Sequence, residues 1–329
     1  MESAVVAAWA RELGFAEMGI CSISDFTQQK KAVDAQPELR ERRQLRYDPQ
    51  VDCPWATALL VLLWPYTQAP LPKDRKHVFI DSYYAASNRA YQAAKALEKK
   101  LCDAGYKALA NVSYPARTAA VRAGLGVIGD NGLLIAPGYG SRVVIILLAT
   151  DAVIAEKRDS VSPGECMHCG RCAMACPSGA LESCGMTHPE RCLRNFMMEG
   201  MVVPESSRAQ MGMKLVGCDM CQRVCPMQTG EESAGSMTFH LDDFMTVDEA
   251  AFRESVSRLG GLIGRNMARP QRVRAQAALL AGNRGCAQDL AVLRAWEQSD
   301  FEAVREHAKW AIRQIEQHTL GLDQSCEKR

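Results

Sequence analysis

The residues best suited to chemistry in this 329-residue chain are its cysteines. There are 14, and most fall between Cys166 and Cys225. A first motif, CMHCGRCAMACP, spaces Cys166, Cys169, Cys172 and Cys176 as C-x2-C-x2-C-x3-C ahead of Pro177. A second, CDMCQRVCP, sets Cys218, Cys221 and Cys225 ahead of Pro226. Three thiolates at two-residue spacing wrap one corner of an iron–sulfur cube, and the cysteine before proline ligates the neighbouring cube. Sulfide-bridged iron favours soft, charged ligands, which thiolates are. The spacing therefore predicts two 4Fe–4S clusters: one on Cys166, Cys169, Cys172 and Cys225, the other on Cys176, Cys192, Cys218 and Cys221. The second motif is one ligand short, and Cys192 (PERCLRN) is the natural supplement, with Cys184 as its competitor. Zinc ribbons also use Cys-x2-Cys pairs, but rarely this run. The chemistry expected is one-electron transfer. Cys21, Cys53, Cys102, Cys286 and Cys326 have no ligand spacing and read as plain thiols.

Other candidates are less specific. Gly124–Gly129 (GLGVIG) matches G-x-G-x-x-G, but an Ala-rich, helix-like stretch precedes it where a dinucleotide site needs a strand. The glycines still mark a tight turn or a close approach of backbone, with a helix-ending turn as the plain alternative. His168 lies between cluster cysteines, while His188 and His307 read as surface residues. Arg265, Arg269, Arg272, Arg274 and Arg284 gather around one helix of the tail, fit either to meet phosphates or to form a solvated face.

The elements that must position these groups follow from apolar spacing. Residues 1–155 read as an α/β domain. Ala4–Leu13, Ser87–Ala104 and Pro115–Ala123 have helical character, and Ala56–Trp64 and Arg142–Thr150 are continuous apolar runs suited to buried strands. Residues 156–243 are loop-rich, and a metal framework replaces the core they lack. Residues 244–329 read as helix pairs of the HEAT type, with a stop at Gly282–Gly285 (GNRG). The fold class is α+β. Net charge is +1, so no global field draws nucleic acid or an acidic membrane. Met1–Glu12 has no basic leader, and the longest apolar run is too short to span a bilayer, which predicts a cytoplasmic protein without a membrane partner.

Three features together resemble the epoxyqueuosine reductase family of cobalamin-dependent iron–sulfur enzymes, related to reductive dehalogenases. These are the segment AGLGVIGDNGLLI, the double motif with Cys192 between its halves, and the tail RVRAQAALLAGNRG…DFEAVREHAKWAIRQI. The resemblance covers the chain from about Ser87 onward. It implies an N-terminal cobalamin-type domain, electron relay through two clusters, and reduction of epoxyqueuosine to queuosine in tRNA. It also implies an external donor such as a flavodoxin or ferredoxin. Gly126, Gly129, Asn131 and Leu134 would approach the corrin, and Asp219 would face cofactor and substrate. One departure stands out. The family's catalytic aspartate falls in Ala108–Arg117 (ALANVSYPAR), near Ala110, where this chain has no acid, and Tyr114 is the candidate proton donor there. Asp130 stands where a lysine is usual. These departures leave open a paralogue, a related corrinoid iron–sulfur reductase with another small-molecule or protein substrate, or an electron-transfer module for a partner enzyme.

Overall fold

Strands form where apolar, β-branched residues run without interruption. In the computed structural model, which describes residues 2–23, 26–35, 47–152, 165–182, 185, 187–229 and 238–322, Ala58–Pro65 and Val143–Thr150 pair antiparallel along their full lengths. Ala58 lies opposite Thr150 and Pro65 opposite Val143. Both are covered on both faces, as a continuous apolar pattern requires; Leu59 through Leu63 are wholly buried. Glu17–Ser22 pairs outside the first strand and Ala108–Ala110 outside the second, so the four-stranded sheet is antiparallel throughout.

The described chain gathers into two units that do not follow chain order. The first comprises Met1–Gln68, Ala86–Glu190 and Met220–Glu231; the second comprises Ala69–Ala85, Arg191–Asp219 and Glu232–Arg329. The first unit contains the sheet, the helices Ser3–Glu12 and Ala116–Arg122, and most of the helix Ser82–Asp103, which begins earlier than its apolar spacing predicts. Among the described residues of 165–190 only Ala180 is buried, so this stretch has almost no apolar core of its own.

The second unit is helical, with a small sheet. His77–Ile80 pairs parallel with Lys214–Val216 and antiparallel with Phe239–His240. Helix Glu249–Ile263 starts at Asp248, whose carboxylate accepts from the Ala250 and Ala251 amides. Helix Pro270–Arg284 starts on a proline and packs along Glu302–Leu322. The helix stops within the expected segment Gly282–Gly285; Gly282 itself lies inside, and a Cβ there would sit 2.6 Å from the Trp310 ring. The glycine permits close helix packing, and the chain turns only at Gly285.

Two further expectations are corrected in this unit. His307 is no surface residue: it is 1% exposed, donates from Nδ1 to the Ala275 carbonyl at 2.8 Å and accepts at Nε2 from the Val203 amide at 2.9 Å. Nor is the arginine group a uniform surface. Arg284 holds Asp289 through two bonds, at 2.5 and 3.0 Å, and Asp242 at 2.6 Å. Arg274 pairs with Glu249 at 2.5 Å and covers the Phe252 ring. Only Arg265 and Arg269 of the five are exposed; the other three are half-buried. No helix among the described residues is long and apolar enough to cross a membrane.

Candidate metal centre

The second cysteine motif is fixed by side-chain amides. Gln222 donates to the Ser141 carbonyl at 2.8 Å and accepts from the Tyr66 hydroxyl at 3.2 Å, while Gln228 donates to Ser141 Oγ at 2.6 Å. These bonds fasten the segment carrying Cys225 to the chain entering the strand Val143–Thr150. The first motif turns through left-handed backbone at His168, φ 48°, and Gly170, φ 70°, before the short helix Arg171–Met174. Cys166, Cys169, Cys172 and Cys225 then line one recess.

Two of these thiols feel their neighbours. Burial pushes the Cys225 thiol up, and the nearby Cys169 and Cys166 add to the shift against a bond from the Met227 amide. Burial also raises Cys172, helped by Asp130 and Cys166 and opposed by backbone amides. Cys172 and Cys225 thus resist ionising beside their neighbours, a poor resting state for bare protein. A multiply charged cation among them removes the repulsion.

The wall of the recess is a hairpin. Helix Ala116–Arg122 ends just before Gly124, and Val127–Ile128 then pairs with Leu134–Ile135. Gly126, φ 154°, is needed because a Cβ would collide with the Ile135 carbonyl; at Gly129 a Cβ would meet Ile135 Cδ1 at 2.6 Å. The glycines thus serve the hairpin's own packing, and G-x-G-x-x-G is no strand–turn–helix here. Side chains alternate along a strand. Ile135 lines the recess, and Leu134, expected on a cofactor, is 2% exposed in the core. At the tip, Asn131 is nearly buried and accepts from the Leu133 amide at 3.1 Å. Asp130 also lines the recess, and its Oδ1 lies 2.8 Å from His168 Nδ1. This pair was not legible in the sequence: its partners are 38 residues apart and share no periodicity.

The remaining candidates are more scattered. Cys176 Sγ accepts from the Ala180 amide at 3.2 Å. Cys176 and Cys221 belong to the first unit, Cys192 and Cys218 to the second, and all four are half-buried. Cys192 immediately precedes the helix Leu193–Glu199, and Asp219 is fully buried. Cys184 lies outside the described residues. His188 sits between Glu182, 2.6 Å from Nε2, and Glu190, 3.2 Å from Nδ1, rather than free on the surface. Tyr114 is buried beside Phe26, and its hydroxyl donates to Asp52 at 3.2 Å. Burial and the Asp52 carboxylate push its phenol well above the ordinary tyrosine range.

Residues 165–228 match the family model described as a 4Fe-4S double cluster binding domain, so the chain carries a two-cluster iron–sulfur segment. Its sequence relatives narrow the class. The chain is 27% identical over 263 residues to the epoxyqueuosine reductase of Bacillus cereus, covering 74% of this chain and 67% of the relative. It is 34% identical over 132 residues to that of Bacillus subtilis strain 168, covering 40% of this chain and 32% of the relative. Among solved structures, selenomethionine-labelled epoxyqueuosine reductase superposes with a TM-score of 0.77 at 20% identity, over 99% of this chain and 95% of that one. A structure of the Bacillus subtilis enzyme, with its catalytic aspartate loop swung out of the active site, gives 0.77 at 21% identity, covering 99% and 95%. An epoxyqueuosine reductase crystallised with an epoxyqueuosine-modified tRNA-Tyr stem loop gives 0.77 at 20%, covering 99% and 94%. The chain resembles the epoxyqueuosine reductases in sequence and shares their fold.

Proposed function

We propose that the chain is an iron–sulfur oxidoreductase that reduces epoxyqueuosine to queuosine in tRNA. One observation carries the reading: four thiols from two separated motifs meet in a single recess, in a chain whose curated relatives are epoxyqueuosine reductases. Removing an epoxide oxygen to leave an alkene takes up two electrons and two protons and releases water. Two one-electron centres match that demand. Cys166, Cys169, Cys172 and Cys225 would hold the first cluster, and their all-sulfur donor set fits it. Cys176, Cys192, Cys218 and Cys221 would hold the second.

Cobalamin belongs to the proposal by resemblance. A flat macrocycle fits one feature of the hairpin. Ile128 is 45% exposed, an apolar side chain on the hairpin that a macrocycle could cover. When bound, the cofactor would supply a strongly reducing metal centre. The chain's own part would be to present the hairpin that Gly126 and Gly129 let close and Asn131 holds at its tip, with Asp219 turned to cofactor and substrate by resemblance. Residues 1–155 would form the cofactor region, 156–243 the cluster region and 244–329 a HEAT-like tail. Exposed Arg265 and Arg269 would meet tRNA phosphates in the cytoplasm, and a flavodoxin or ferredoxin would supply electrons.

The test is turnover of epoxyqueuosine-containing tRNA by anaerobically reconstituted protein, alongside iron, sulfide and cobalt analysis. Queuosine formation is expected. A second reading, a related reductase with another substrate, is favoured by Ala108–Arg117, which offers no acid and whose Tyr114 is locked in the core. Bound clusters and cobalamin with no reaction on the tRNA would select it.

A further inference from the structure

A carboxylate stands against the thiols of the recess, outside any ligand role in the motifs. The hairpin tip aims Asp130 at the first motif, and its oxygen, Cys166 Sγ and a ring nitrogen of His168 lie within 4.8 Å of one another. The Asp130 side chain is only 12% exposed, whereas that of His168 is 75% exposed. His168 holds the contact from a left-handed backbone conformation that a non-glycine residue seldom adopts. The charge is therefore both shielded from water and clamped in place.

We propose that Asp130 sets the reduction potential of the cluster on Cys166, Cys169, Cys172 and Cys225, holding it low through a fixed negative charge at its edge. This rests on the reading of those thiols as cluster ligands. The step concerned is uptake of one electron from an external low-potential donor, with no bond made or broken. The reduced cluster carries one more negative charge than the oxidised one, so a neighbouring carboxylate disfavours reduction, and more so where water is excluded. A low potential makes the reduced cluster a stronger donor to whatever accepts from it. The hydrogen bond to His168 fixes the distance over which the field acts.

The experiment is an anaerobic dithionite titration of the reconstituted full chain, followed by the EPR signals of the two clusters. Asp130→Asn keeps an oxygen able to accept from His168 but removes the charge. It should raise the reduced-to-oxidised ratio of one cluster at least tenfold at fixed poise, about 59 mV for a one-electron couple, and leave the other wave in place. Asp130→Glu keeps the charge and should stay near the parent value. Asn131→Asp, nearly isosteric and on the same wall, adds a charge and should move the same wave the opposite way. The proposal is overturned if no wave moves in either charge-changing variant, if both waves move together, or if Asp130→Glu shifts as far as Asp130→Asn. Failure of the cluster reading itself looks different: the parent protein would then hold no sulfide and show no cubane signal.

Discussion

Tyr114 turns its phenolic hydroxyl to Asp52 and the Pro49 carbonyl, inside a core that also holds Phe26 and Ala119. A group so placed supports packing rather than proton delivery, so Tyr114→Phe should cost about 1 kcal/mol of stability for the lost hydrogen bond and leave turnover unchanged. Thermal unfolding and an activity assay on one preparation separate the two; lost turnover at unchanged stability would restore Tyr114 as proton donor. The thiols behave differently, because each ligand atom is indispensable to its cube. Cys225→Ala should halve both iron and sulfide by removing the first cluster and sparing the second, and Cys192→Ala should do the reverse. A Cys192→Ala protein with full iron content would shift the eighth-ligand role to Cys184. The cysteines could be found from spacing alone, since cluster geometry imposes that spacing on the chain. The Asp130–His168 contact could not, because it depends on where a hairpin tip lands.

At the level of elements, the hairpin Val127–Ile135 relies on backbone contact between Gly126 and Ile135. Gly126→Ala combines a steric clash with an unfavourable φ, and strain of that kind costs on the order of 1–3 kcal/mol. Circular-dichroism melts should show the loss, with weaker cluster retention because the wall of the recess moves. The helix Glu302–Leu322 carries a different constraint. His307 is buried between a carbonyl it donates to and an amide it accepts from, so only its neutral form fits, and burial lowers its pKa to about 4. An unfolded histidine titrates near 6.5. The stabilisation is therefore complete above pH 6.5 and declines as pH falls toward 4, by up to on the order of 3 kcal/mol. His307→Gln should flatten that part of the stability–pH curve, as measured by denaturant midpoints. Long apolar runs such as Ala58–Pro65 and Val143–Thr150 announced themselves in the sequence because burial on both faces demands unbroken hydrophobicity. His77–Ile80, Ala108–Ala110 and Lys214–Val216 did not, since strands of three or four residues are specified by their neighbours rather than by their own pattern. Which glycine of GNRG ends the helix was not legible for a related reason: a glycine that ends a helix and one that admits a neighbouring helix look alike in one dimension.

Over the whole molecule, the two units differ in what holds them. The second has an extensive apolar core, including Phe239, Phe252, Leu279, Leu280 and Ile315. The cysteine segment of the first has almost none, so metal must do that work. Removing iron with a chelator should abolish amide-exchange protection in residues 165–182 and 220–229 while leaving the helices Pro270–Arg284 and Glu302–Leu322 protected; equal loss in both would contradict the assignment. The origin of the fourth thiol has a temporal consequence. Cys225 follows Cys172 by about 50 residues, and residues 191–219 between them belong to the other unit. A ribosome adding about 5–20 residues per second leaves the recess with three of its four sulfurs for several seconds. A cube delivered in that interval would keep one iron uncapped and open to oxygen, so maturation of this centre belongs after synthesis, when the late sulfur has arrived to close it.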